Sequence, residues 1–307
     1  MRAVVFAYHN MGIAGLEALR HAGFNIAAIF SHKDDPGENV WFDSVTEWAR
    51  ENKVEVFCPD DVNKPEWIQQ ISRLSPDVIF SFYYRRMISR DILSIPPSGA
   101  YNLHGSLLPA YRGRVPVNWV LVNGEKQTGV TLHHMIEKPD SGDIVRQKAV
   151  DIDFSDTART LYDKLCKAAR ELLEETLPLI REGKAPRFPQ DLTKGNYFGG
   201  RRPEDGRIDW RWPAVRIYNL IRAVTEPYPG AFAFLPGDEK IVIWWAVPGD
   251  GGSRNHLPGQ VEVESGSVLV GTGQGHIRLL EIEVAGARMK NDLIFNYFKS
   301  KKGLVLT

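Results

Sequence analysis

The chain has 307 residues, enough for about two domains of roughly 150 residues and for a core that buries about 75% of the unfolded surface without disulfide or metal staples. Lys plus Arg and Asp plus Glu number 38 each, and 43% of the residues are hydrophobic against 25% charged. These proportions exclude a globally disordered or fibrous chain, and the neutral balance argues against a dedicated nucleic-acid binder, whose domains usually exceed pI ~9.

In chain order, the first half alternates β-rich runs with amphipathic helical stretches, the pattern of a parallel sheet covered on both faces. Strands are predicted at Ala3 to Tyr8, Asn25 to Phe30, Val54 to Phe57, Asp77 to Phe82, Ala100 to Leu103, Val130 to Met135 and Ile144 to Val150. Ile13, Leu16 and Leu19 mark a helical face that Gly23 ends, and Pro65 and Pro116 fall where a helix's first turn tolerates a missing N–H. A long helix is predicted from Thr157 to about Glu182, on a stripe of Leu161, Leu165, Ala168, Ala169, Leu172 and Leu173. Residues 183–206, rich in Pro, Gly and Arg, read as a linker between a domain of residues 1–182 and another of residues 207–307. In the latter a helix over Ala214 to Val224 precedes β runs at Ala231 to Leu235, Lys240 to Val247, Gln260 to Val263, Val268 to Val270 and Ile277 to Val284, the spacing of a small barrel or sandwich.

Cys58 and Cys166 stand far apart with no CxxC pattern, which points to a reducing cytoplasm. Met1 to Tyr8 runs into polar His9 and Asn10 and reads as a strand, not a secretory leader, and no apolar run reaches the ~20 residues of a membrane span. A cytoplasmic protein without membrane insertion is expected.

Several motifs carry little chemistry. Gly12 and Gly15 follow the first strand, and Asp34 or Asp35 could serve as a ribose acid, but a dinucleotide fingerprint needs a further Gly at position 10, and close packing of the helix on the sheet explains the pair equally well. Gly271, Gly273 and Gly275 lie between β runs, as in a hairpin turn. None of the eight histidines, His256 among them, has metal-ligand spacing, and adjacent His133 and His134 would face opposite ways on a strand, so no metal is expected.

The informative stretch is Tyr101-Asn102-Leu103-His104-Gly105-Ser106-Leu107-Leu108-Pro109, at the carboxyl end of a strand, where open α/β sheets bind ligands. Asn102 and His104 share one face of that strand, and an amide beside an imidazole suits reaction at a carbonyl. Asp140, in the turn Pro139-Asp140-Ser141-Gly142, is placed to orient His104. Arg112 and Arg114, before the helix that starts near Pro116, add two guanidiniums suited to an anionic or carbonyl-rich ligand.

Asn102-Leu103-His104-Gly105-Ser106-Leu107-Leu108-Pro109 with Tyr111-Arg112-Gly113, followed after 36 residues from His104 by Asp140-Ser141-Gly142-Asp143-Ile144, resembles the signature of formyltransferases that use N10-formyltetrahydrofolate. Phe6-Ala7-Tyr8-His9, Phe80 to Arg85, Trp119 to Glu125, Gly129 to His133 and Pro227-Tyr228-Pro229-Gly230-Ala231-Phe232 most resemble the branch found in bifunctional polymyxin-resistance enzymes, which formylates UDP-4-amino-4-deoxy-L-arabinose. The chain departs from those enzymes in stopping at residue 307, without their decarboxylating dehydrogenase half. The resemblance implies a mostly parallel, Rossmann-like α/β N-terminal domain with a smaller OB-like β-barrel. It also implies Asn102, His104 and Asp140 as the catalytic trio, and Arg86, Met87, Ile88, Arg114 and Ile136, Glu137, Lys138, Pro139 and Asp140 around the folate. The reaction it implies is direct attack of a nucleotide-linked sugar amine on the formyl carbon, through a tetrahedral intermediate.

Related readings with the same two motifs are a methionyl-tRNA formyltransferase, a formyltetrahydrofolate hydrolase, and a binding module without turnover. The most basic stretch, Arg181 to Arg216, carries nine Lys/Arg against five acids, a thin surplus for tRNA and enough for a diphosphate. A small nucleotide-sugar partner and no nucleic acid are expected.

Overall fold

A computed structural model describes every residue except 35, 36, 38, 250–256 and 302. Asp35 and His256 therefore lie outside the described residues. The chain groups into two compact units, residues 1–116, 127–152 and 162–199 in one and residues 117–126, 153–161 and 200–307 in the other. The stretch read as a linker divides between them, 183–199 with the first and 200–206 with the second.

The strands of the first unit are β1 (Arg2–Ala7), β2 (Asn25–Phe30), β3 (Val56–Phe57), β4 (Val78–Phe82), β5 (Ala100–His104), β6 (Arg112–Gly113), β7 (Gln127–His134), β8 (Ile144–Asp151) and β9 (Tyr197–Phe198). Seven form one sheet in the order β3-β2-β1-β4-β5-β7-β8, and β6 pairs with β9. Pairing is parallel from β3 to β5 and antiparallel at β5–β7 and β7–β8. The nine residues between β7 and β8 are too few for a parallel crossover, which needs a dozen or more, so this edge turns back on itself. Chain order reverses between β1 and β4, the place where such sheets open a crevice beyond their carboxyl ends.

Among the described residues, six α-helices precede residue 182: α1 (His9–His21), α2 (Val45–Glu51), α3 (Pro65–Arg73), α4 (Arg90–Leu93), α5 (Pro116–Val122) and α6 (Ala158–Arg181). The two glycines of α1 are packing residues. A Cβ on Gly15 would stand 2.2 Å from the Phe82 ring, and one on Gly12 3.2 Å from Ala7 Cβ, so both let the helix approach the sheet. On the sheet's other side Val4, Phe6, Phe30, Ile79, Val62, Ile71 and Ile92 form a continuous buried cluster. The predicted stripe of α6 is buried throughout, continuing to Leu177 and Ile180.

The second unit carries α7 (Ala214–Val224), β10 (Ala231–Leu235), β11 (Glu239–Pro248), β12 (Val261–Glu264), β13 (Ser267–Gly271), β14 (His276–Val284), β15 (Ala287–Lys290) and α8 (Asp292–Phe298). The antiparallel order is β10-β11-β14-β13-β12, with β15 on β14, and Gly273 and Gly275 lie in the β13–β14 turn as expected. The last residues join the two edges. Val261 N–H donates to the Leu304 carbonyl (2.8 Å) and Leu306 N–H to that of Gly259 (2.8 Å), while Phe234 and Thr307 exchange two bonds of 2.8 and 2.9 Å. These bonds link the β10 and β12 edges of the sheet and close it into a small barrel.

Candidate active site

Asn102 and His104 leave the same face of β5, as strand alternation requires. His104 is 7% exposed and sits between two acceptors: its Nε2 is 2.8 Å from the Tyr111 carbonyl and its Nδ1 3.5 Å from Asp140 Oδ1. An imidazolium can donate toward both, whereas a neutral ring can donate toward only one.

The Tyr111 carbonyl is aimed by an unusual loop, with φ of 56° at Tyr111, 101° at Gly113 and 47° at Val115. Residues read as linker hold it there. Arg112 N–H donates to Asn196 (3.0 Å), Arg114 N–H to Phe198 (2.9 Å), and the Tyr111 and Phe198 rings stack at 4.8 Å. The Arg112 guanidinium is buried and donates to the Leu192 and Gly195 carbonyls at 3.3 and 3.2 Å, so only Arg114 of the two expected guanidiniums is exposed. Arg112 is thus a structural strut, not a ligand group.

Asp140 reaches His104 from the β7–β8 loop. Its own φ is 49°, and the following turn depends on Gly142, where a Cβ would meet the His134 carbonyl at 1.9 Å. Gln190 Nε2 donates to the carbonyls of Asp140 (3.2 Å) and Gly142 (2.6 Å), a second hold exerted by the same segment. Asp140 Oδ2 accepts from Gly113 N–H at 2.9 Å, which ties the two loops together. Burial pushes this carboxyl up, but the charge of His104 foremost, with the Gly113 N–H, works against burial, and the carboxyl is held well below the usual carboxylate range.

His133, which sequence reasoning gave no part in the chemistry, lies inside this constellation. It is 2% exposed, with Nε2 3.1 Å from Asn102 Nδ2 and 3.7 Å from Asp140 Oδ1. The available signal was register: β5 and β7 pair Asn102 with His133, but nothing local in the sequence shows that pairing. His134 faces the other way, against the Tyr101 ring at 4.6 Å, with its Nε2 buried and without a hydrogen-bond partner.

Burial first, then the nearby charges of Arg187 and His133, lower the His134 pKa to about 4, against a raising effect of Asp143. The folded protein therefore refuses a proton that the unfolded chain accepts below its ordinary value of about 6.5, so stability falls as pH drops from 6.5 toward 4. Urea titrations should show His134→Phe losing about 2 kcal/mol less than the native protein between pH 7 and 5.

The residues expected around the folate have mixed settings. Arg86, Met87 and Ile88 follow β4; the Arg86 guanidinium donates to the Pro59 carbonyl at 3.1 Å, Met87 is 54% exposed, and the Ile88 side chain belongs to the buried core. Ile136, Glu137 and Lys138 are exposed in the loop that carries Pro139 and Asp140, and Arg114 is exposed after β6. Among the described residues no group of three or more His, Cys, Asp or Glu could hold a metal, and no helix is long and apolar enough to cross a membrane.

A carboxylate, an imidazole and a carboxamide joined at the carboxyl end of a central strand suit acyl-type transfer, and comparison with known proteins agrees. Residues 1–177 match the formyl transferase family and residues 201–298 its C-terminal domain. The chain belongs to this family and is a formyltransferase.

Among solved structures it resembles WlaRD, a sugar 3N-formyl transferase determined with dTDP and 5-N-formyl-THF, at 20% identity and a TM-score of 0.70, covering 94% of this chain and 98% of that one. An N-formyltransferase from Helicobacter canadensis, in complex with folinic acid and dTDP-3-aminofucose, gives 21% identity and a TM-score of 0.69 over 91% and 98% of the two chains. HypX from Aquifex aeolicus, in complex with tetrahydrofolic acid, gives 18% identity and a TM-score of 0.62, covering 98% of this chain and 48% of that one. At these identities the likeness is one of fold.

Proposed function

We propose that the protein transfers the formyl group of N10-formyltetrahydrofolate to the amine of a nucleotide-linked amino sugar, with UDP-4-amino-4-deoxy-L-arabinose as the acceptor that its sequence motifs favour. The observation that carries the reading is the Asn102–His104–Asp140 constellation in a formyl transferase chain. Arg86 to Ile88, Arg114 and Ile136 to Asp140 are assigned to the folate, with Ile88 acting through its main chain because its side chain is in the core. The reaction is assigned to the cytoplasm.

In this mechanism the acceptor nitrogen bonds to the formyl carbon, the bond from that carbon to folate N10 breaks, and a proton passes from the acceptor nitrogen to N10. Asn102 donates from Nδ2 to the formyl oxygen as it gains negative charge, and His104 adds its positive charge beside it. Asp140 keeps His104 oriented. To carry the proton through Nε2, His104 must first release the Tyr111 carbonyl that this nitrogen now faces.

A nucleotide sugar is favoured over tRNA by what the basic stretch does. Of its nine cationic side chains, eight are engaged within their own unit: Lys184, Arg187, Lys194 and Arg211 in ion pairs, Arg181 on a carbonyl, and Arg201, Arg207 and Arg216 over aromatic rings. The four ion-paired cations are exposed but each stands beside a carboxylate that offsets its charge, so the stretch carries a smaller net positive field than many phosphate contacts demand. A dTDP-linked amino sugar is a second reading, favoured by the dTDP ligands of the two solved relatives.

Tetrahydrofolate release should be measured with UDP-4-amino-4-deoxy-L-arabinose, dTDP-3-aminofucose, methionyl-tRNA and no acceptor. Release only with an amino sugar is expected, and the faster of the two identifies the nucleotide. Release without an amine would make the protein a hydrolase, and release only with methionyl-tRNA would sink the sugar reading.

A further inference from the structure

The buried ring of His133 has one nitrogen committed. Its Nδ1 lies 2.8 Å from the carbonyl of His134, an atom that can only accept, so Nδ1 carries a proton and donates. In the neutral ring Nε2 is then an acceptor, and the group it meets is the Asn102 carboxamide nitrogen at 3.1 Å. Asp140 Oδ1 is farther from Nε2, at 3.7 Å, and is a partner only for a doubly protonated ring. Of the two arrangements the shorter contact favours the neutral one.

This contact does something that the trio cannot do for itself. A carboxamide on a strand end can present either its oxygen or its nitrogen to a ligand, and only the nitrogen can donate to a developing oxyanion. Accepting one Nδ2 hydrogen at His133 fixes which side of Asn102 is the donor side and leaves the second Nδ2 hydrogen for the substrate. The chain His134 carbonyl, His133 ring, Asn102 amide passes orientation from the β7 backbone to β5, whose register places Asn102 opposite His133.

We propose that His133, held with Nδ1–H on its neighbour's carbonyl, is a positioning residue that orients the Asn102 amide as the hydrogen-bond donor for formyl transfer. The proposal rests on the role given to Asn102 above.

Two measurements test it. On the native protein, nitrogen NMR of 15N-histidine-labelled enzyme should show His133 protonated at Nδ1 and bare at Nε2 near pH 7.5. A doubly protonated ring would overturn the proposal in favour of an Asp140 partner. This readout needs no turnover, so it stands even if the acceptor panel refutes the sugar reading.

Kinetics with N10-formyltetrahydrofolate and the better of the two amino sugars provides the second test. His133→Leu should lower kcat roughly 10- to 100-fold, below the loss from removing the donor itself, with KM for the folate within about twofold. His133→Gln retains an acceptor and should recover most of the rate. In an Asn102→Ala background His133→Leu should cost nothing more, because the group it orients is gone. Losses that multiply in the double variant, or a native kcat in His133→Leu, would refute it. If the leucine variant does not fold, the ring protonation of the native protein decides.

Discussion

His104→Ala should lower kcat by about 10²–10⁴-fold, and Asn102→Ala by about 10²–10³-fold, with both variants still folded and His104→Ala the less stable of the two because it takes a cationic partner from buried Asp140. The ranges follow from what each group supplies: a positioned acid/base with its charge in one case, one oxyanion donor in the other. Folding should survive because, of the groups His104 meets, Asp140 keeps the Gly113 N–H and the Tyr111 carbonyl keeps the Ser106 hydroxyl nearby when the ring is removed. The double variant should be no slower than about the worse single variant, since groups that act together on one intermediate lose their effect together. Stopped-flow and steady-state release of tetrahydrofolate measure both. A His104→Ala enzyme with near-native kcat would remove the proposed mechanism.

Asp140 should behave differently, because it serves the fold as well as the chemistry. Its carboxylate takes Gly113 N–H at 2.9 Å and faces His104 and His133, both under a tenth exposed. Asp140→Ala leaves the Gly113 N–H and the His104 ring buried without their acceptor, at a cost of about 3 kcal/mol on top of the activity loss. Asp140→Asn keeps an acceptor for Gly113 and loses only the charge, so it should retain more stability while still losing at least about 10²-fold in kcat.

The pH dependence has a definite sign. The folded carboxyl titrates lower than the unfolded one, so its stabilisation is fully present above the unfolded value near 4 and is lost as pH falls further toward the folded value. Urea unfolding at pH 7 and pH 3 should therefore show the gap between native and Asp140→Asn narrowing in acid. A gap that widened there would mean that the carboxylate is not held by its donors.

Much of the fold is legible in the residues. The strand over Asn25–Phe30, the helix over Ala214–Val224 and the strand over Ala231–Leu235 coincide with their predicted bounds, and most other elements shift by a residue or two at the ends. Period and punctuation are local properties, and burial rewards them wherever the chain goes. β15 and α8, over Ala287–Lys290 and Asp292–Phe298, escaped notice because neither shows a strong period in so short a run. The stretch 188–199 looked like a tether because it lacks periodicity, yet its order comes from backbone bonds to residues about 80 positions away, which no local pattern records.

The sequence by itself determined the residue types of the site and their spacing: an amide and an imidazole on one face of a strand end, and a carboxylate in a turn 36 residues past the imidazole. It also determined the succession of an α/β half and a β-rich half, since hydrophobic period is written residue by residue. Only the tertiary structure decided what holds those groups. The barrel closes through its final residues, Gln190 and Phe198 grip the two loops of the site, Arg112 becomes a strut, and His133 faces Asn102. Each of these is a pairing between distant segments, settled by sheet register and by the need of buried polar groups for partners, and a one-dimensional pattern carries neither.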